Sequence, residues 1–107
     1  MKAAFFLGDS RKQLLRFPAD AKREAGYQLG KVQQGLEPSD WKPMPTVGVG
    51  VREIRLHVAG EHRVIYLATL PDAVYVLHAF PKKTQRTPKA DIDLAKTRLA
   101  QLLKAKS

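Results

Sequence analysis

Lys82, Lys83, Arg86 and Lys89 put four cations within eight residues, directly after the apolar stretch AVYVLHAF at Ala73–Phe80. Two arginines lie on candidate strands upstream, Arg55 in VREIRL and Arg63 in HRVIYL, with Arg52 at the start of the first. Neighbouring antiparallel strands can bring such strand ends within reach of one phosphate. Guanidinium and ammonium groups gathered there bind a phosphodiester and stabilise charge that develops on its equatorial oxygens. RNA carries its own nucleophile, the 2′-OH, so a protein that cleaves it has to supply positioning and proton transfer. Taken singly, the same cations also serve as solvated charges that keep strand edges from aggregating.

His57 falls on the polar side of its strand, where an imidazole can act as general acid or base near neutral pH. His78 alternates with Val74, Val76 and Phe80, the pattern of a packed core histidine, and His62 lies beside a turn, where exposure is expected. No two of these three imidazoles have helical or close-ligand spacing, so no metal site is expected. No GxxxxGKS/T or GxGxxG loop occurs, and GVGVRE at Gly48–Glu53 leads into a strand, without the helix dipole that phosphate loops use. No cofactor is expected. Tyr66 and Tyr75 alternate with aliphatic residues and read as core rather than as platforms for stacked bases.

The 107 residues suit one small domain, 1–107, and 44% hydrophobic content suffices for one modest core. Lys and Arg number 19 against 10 Asp and Glu, a net charge of +9, which is the balance of a protein with a polyanionic partner. Residues 82–107 hold eight cations and two acids, so most of that excess lies in the last quarter of the chain. The absence of cysteine rules out disulfides and thiolate ligands and is compatible with a reducing cytoplasm. The apolar run in MKAAFFLGDS is too short for a secretory signal, and no segment approaches a membrane span, so a soluble, cytoplasmic protein with no membrane partner is expected.

The elements that must hold these side chains read as follows. Ala3–Leu7 is a strand closed by Gly8, and Asp9 or Ser10 starts a short helix through Leu14, Leu15 and Phe17. Pro18 opens a second helix from Ala19 to about Gln34, with Ala21, Ala25, Leu29 and Val32 on one stripe. Gly26 and Gly30 suggest close approach of a neighbouring element. Leu36–Gly50, with three prolines around Trp41, reads as a loop or arm that Trp41 packs down. Arg52–Val58, Glu61–Leu70 and Ala73–Phe80 read as an antiparallel meander. Its first strand sets Ile54, Leu56 and Val58 on a core face and Glu53, Arg55 and His57 on a wet one. Thr87-Pro88 caps a last helix with Ile92, Ala95, Leu99 and Leu102 on one stripe. The order predicts an α+β fold, a sheet with helices on one face that the first strand joins.

The stretches RFPADAKREAGYQL, VGVGVREIRL, HRVIYLA, AVYVLHAFPKKTQRTP and DIDLAKTRL together resemble the RelE/HigB superfamily of type II toxins, in its phage-derived HigB-like branch. The resemblance implies a microbial-ribonuclease-type α+β fold, an antiparallel sheet of about four strands carrying two N-terminal helices and one C-terminal helix. It implies a metal-independent endoribonuclease that cuts mRNA in the 70S ribosomal A site by 2′-OH attack on the adjacent phosphate. A helix-turn-helix antitoxin is the implied partner, with operator DNA contacted only through that complex. Arg63 matches the family's phosphate-contacting arginine, Lys83 its basic residue after the last strand with Lys82 beside it, and Arg55 a first-strand cation; Arg52, Arg86 and Lys89 add RNA-binding charge. The family's C-terminal tyrosine is replaced by Pro88-Lys89, which leaves His57, Lys82 and Lys89 as candidates for proton transfer. A non-catalytic RNA- or DNA-binding regulator and a phage-encoded structural protein are the alternative readings.

Overall fold

Runs such as RVIYL and AVYVL leave no polar face, so strands that carry them are stable only when covered on both sides. The computed structural model, which describes residues 1–107, has that architecture. In chain order the elements are β1 (Ala3–Phe6), α1 (Ser10–Leu15), α2 (Ala19–Gln33), β2 (Trp41–Pro43), β3 (Val51–Leu56), β4 (His62–Leu67), β5 (Ala73–Pro81) and α3 (Lys89–Lys106). They form one α+β unit around a five-stranded sheet of order β1-β5-β4-β3-β2. No helix is long and apolar enough to cross a membrane.

Three features differ from the sequence-based expectation. The sheet is mixed rather than antiparallel throughout, because β1 pairs in parallel with β5, Ala3 opposite Ala73. A fifth strand, β2, lies inside the segment read as a loop: Trp41 pairs with Ile54 and Pro43 with Arg52 on the sheet edge, where proline's missing N–H is tolerated. Arg52 stacks on the Trp41 ring at 3.9 Å, which fastens that edge. The helices also divide between the two faces. Leu14, Phe17, Ala21, Ala25, Leu29 and Val32 of the N-terminal half pack on Ile54, Leu56, Val64, Tyr66, Val74 and Val76. On the other face Ala95, Leu99 and Leu102 of α3 pack with Met44, Val47, Val51, Ile65, Leu67, Tyr75 and Leu77.

Alternation along β5 is interrupted once. Ile65 pairs with His78 but Tyr66 with Val76, so Leu77 is an unopposed β-bulge residue. From His78 onward the side chains therefore exchange faces. His78 leaves the side of Val74 and Val76, where strict alternation had placed it, and stacks on Phe80 with its Nε2 2.6 Å from Asp91 of α3. Arg98 of α3, almost buried, donates to the Leu77 carbonyl at 2.9 Å and to the Asp9 carboxylate, which ties the helix to the bulge and to the β1–α1 turn. Gly8 is required at that turn: its φ is +54°, and a Cβ there would overlap the Arg98 guanidinium.

Other expectations change with burial. His62 is packed on the Phe17 ring at 4.4 Å rather than exposed, and burial pushes its pKa down. Val58 lies past the end of β3 and is exposed. A Cβ on Gly26 or Gly30 would meet nothing within 4 Å, so neither marks a close helix contact.

Candidate functional site

The turn after β3 is short, so β4 returns directly alongside it with Arg55 opposite Arg63. Arg63 in turn lies opposite Phe80, and Lys82 continues the pairing beyond β5 by donating its backbone N–H to the Glu61 carbonyl at 2.9 Å. These three strand ends form a cleft of about 440 Å³ lined by Arg55, Glu61, Arg63, Lys82, Lys83, Thr84 and Gln85, with no apolar side chain among them. The structure thus brings together Arg55, Arg63, Lys82 and Lys83, four of the cations singled out in the sequence.

Like charges directly opposite on adjacent strands repel, so the Arg55–Arg63 pairing needs compensation. Arg63 has it. Its side chain is 3% exposed, donates to Glu61 Oε1 at 3.0 Å and to the His62 carbonyl at 2.9 Å, and places Nε 3.6 Å from Glu53 Oε1. Arg55 has none: it forms no ion pair, and its Nε is buried without a hydrogen-bond partner. Lys82 and Lys83 likewise have no carboxylate partner. Burial, and then the Arg63 charge, lower the Lys82 pKa, which makes its ammonium a readier proton donor.

Beneath the cations runs a chain of acids that was not recognised in the sequence. Glu53, assigned above to a wet strand face, is completely buried; the segment after β5 closes over it, and Thr87 Oγ1 donates to its Oε2 at 3.0 Å. Lys42 of β2 approaches Glu53 Oε1 at 3.8 Å. The Thr87 hydroxyl thus joins the loop to β3 instead of capping α3, whose N-cap residue is Pro88. Glu61 is the one acid in the cleft wall, and it bridges Arg63 to His57.

His57 is clasped between Asp40, 2.6 Å from its Nε2, and Glu61, 2.7 Å from its Nδ1. Those hydrogen bonds, that of Asp40 first and that of Glu61 second, raise the His57 pKa above its ordinary 6.5. Reciprocally, His57 and then Arg63 lower the Glu61 pKa and keep it ionised. A raised histidine pKa adds stability that is complete below 6.5 and is lost as pH rises through the folded value. An NMR titration of the His57 ring should give a midpoint above 6.5 that falls toward 6.5 in Asp40→Asn. An unshifted midpoint in the parent chain would contradict the clasp.

The remaining candidates lie outside the cleft. Arg52 points to the opposite sheet face, with Ile54 and Leu56, where it stacks on Trp41 and meets Glu37 at 3.5 Å. Lys89 pairs with Asp93 along the exposed side of α3 at 2.6 Å. Arg86 is exposed on the loop beyond the lining, its carbonyl accepting from Thr84. For Arg52 the cause is strand alternation; for Lys89 and Arg86 it is that the chain leaves the sheet after Lys82.

The assembled geometry is an anion cradle: three cations without acidic partners around a fourth that is locked in place, with one carboxylate held ionised at the wall. Comparison with curated proteins found no match. The sequence pattern of the phage derived protein Gp49-like family (DUF891) matches residues 12–100, and the chain belongs to that family, which is a RelE/HigB-like toxin family.

Proposed function

We propose that the chain is the toxin of a type II toxin–antitoxin pair and an endoribonuclease that cleaves mRNA in the ribosomal A site. The observation that carries the reading is Arg55 set in register against Arg63 with no acid of its own, in a cleft also lined by Lys82 and Lys83. Such an arrangement is favourable when a polyanion fills it, and the scissile phosphate is the group that fits. Arg63, immobilised by Glu53 and Glu61, holds one phosphoryl oxygen, and Arg55 binds beside it. Glu61 accepts the proton of the 2′-OH as that oxygen attacks phosphorus. Lys82 returns a proton to the departing 5′ oxygen, leaving a 2′,3′-cyclic phosphate and a free 5′-hydroxyl. Lys83 neutralises charge on the pentavalent phosphorus. His57 holds Glu61 ionised and in place and does not itself reach the phosphate.

The partner in this reading is a helix-turn-helix antitoxin, through which operator DNA is contacted. The test is induced expression with mapping of mRNA 5′ ends, with and without the adjacent antitoxin gene. Codon-phased cuts and growth arrest that the antitoxin relieves are the expected result. If the purified chain binds RNA with a steep salt dependence and no cut appears at any stage of translation, the non-catalytic regulator replaces this reading.

A further inference from the structure

Of the two lysines in the basic cleft, Lys82 is the one that the fold both anchors and surrounds with positive charge. Its backbone N–H donates to the Glu61 carbonyl at 2.9 Å, so the side chain starts from a fixed point in the cleft wall. That side chain is half-buried and forms no ion pair, whereas Lys83 beside it is exposed. The charges that act on the Lys82 ammonium are those of Arg63, Lys42 and Arg55, opposed by the buried Glu53. Burial first, and the Arg63 charge second, lower its pKa. A larger share of this amine is therefore neutral, the form that attacks an electrophile.

The same cations select among electrophiles. A neutral acyl donor gains nothing from them, but an acyl phosphate presents a dianion that Arg55, Arg63 and Lys83 can hold. In such a donor the carbonyl carbon is one oxygen away from phosphorus. A phosphate seated between the arginines thus brings that carbon to the flexible stem of Lys82, and a bimolecular encounter becomes a local one.

We infer that Lys82 is an acylation site whose donor is an acyl phosphate bound in the cleft. The neutral Nζ attacks the carbonyl carbon, an N–C bond forms, and the C–O bond to the phosphate breaks. The proton that nitrogen loses passes to the departing phosphate, which leaves as hydrogen phosphate with its charge held by Arg55 and Arg63. The product amide is uncharged, so the cleft loses one cation and, in the reading given above, the group that returns a proton to the 5′ oxygen. The assignment rests on that reading only in that the cleft takes a phosphate; it does not require RNA to be cut.

The test is incubation of the full-length protein with acetyl phosphate, with the rate at each lysine followed by mass spectrometry. Lys82 should be acetylated about tenfold faster than the exposed Lys12, Lys22, Lys96 and Lys104. Its rate should saturate at acetyl phosphate concentrations on the order of 1–10 mM and fall when inorganic phosphate competes, while the exposed lysines respond linearly and ignore phosphate. N-Acetoxysuccinimide, an acetyl donor without a phosphate, should show no saturation at Lys82. Arg55→Ala should need about tenfold more acetyl phosphate to reach half its maximal rate at Lys82. Acetyl spread evenly over the exposed lysines, a Lys82 rate that stays linear, or an unchanged half-saturation in Arg55→Ala would each overturn the assignment. If inorganic phosphate still raises the melting temperature of the parent chain in that event, only the acylation site is lost; if it does not, phosphate binding in the cleft falls as well.

Discussion

Arg63→Ala should unfold at a distinctly lower urea concentration than the parent chain, with a loss of about 3–5 kcal/mol, although it is a single charge removed from beside a surface cleft. The reason is the carboxylate underneath. Glu53 is fully buried, and the Arg63 guanidinium is its nearest counter-ion; Lys42, at 3.8 Å, is a partial substitute and places the effect toward the lower end of that range. Truncating Arg63 leaves a desolvated negative charge and also frees Glu61 and the His62 carbonyl from their donor. The double variant Arg63→Ala with Glu53→Leu removes both buried charges, and it should recover most of the stability. Equilibrium urea unfolding of the parent and three variants gives the coupling directly. If Arg63→Ala and Glu53→Leu add independently, the buried pair is not what holds the cleft floor. A practical consequence is that Arg63→Ala alone is a poor test of catalysis, since lost activity and lost fold coincide.

Arg55→Ala should behave in the opposite way, lowering the proposed RNA cleavage by about 10²–10³-fold while becoming more resistant to urea. Its guanidinium faces Arg63 across the ladder and forms no ion pair, so in the free protein its removal relieves repulsion worth a few tenths to about 1 kcal/mol. A group that costs stability when the cleft is empty and is needed when it is filled fits a site built for its ligand. Phosphate or sulfate added to the parent should raise its melting temperature, and the increment should shrink in Arg55→Ala. Activity retained in Arg55→Ala, with stability lowered, would mean that the residue is a structural element of the β3 edge and not a phosphate ligand.

Much of the cleft could be read from the amino-acid order. Short turns between three strands bring Arg55, Arg63 and the Lys82–Lys83 pair to one end of the sheet, and the two-residue period sets Arg55 on one face, but the face that Lys82 takes depends on the bulge at Leu77. The same period, applied strictly, would have sent Arg52 to the side of Ile54 and Leu56, where it is found. Glu53 and Glu61 were harder. A glutamate on an alternating strand reads as solvent-facing, and only the return of the 84–87 loop buries Glu53 under Thr87. The two-sided sheet was legible in principle, because RVIYL and AVYVL have no polar face to leave uncovered. The parallel pairing of β1 was not, since a four-residue strand carries no mark of direction, and three residues around Trp41 are too few to show a period.

The bulge at Leu77 also works as a phase setter. Every side chain after it, His78, Phe80 and then Lys82, stands half a strand period away from where uninterrupted counting from Val74 would leave it. Straighten the bulge with Leu77 kept in the ladder and Lys82 comes round to the side of α2, while Arg63 stays where it is. Arg98, which grips the Leu77 carbonyl from α3, is thus the clutch that keeps the two halves of the cleft in step. The alignment of two cations near Arg55 is fixed by an arginine on the far helix that never touches either of them.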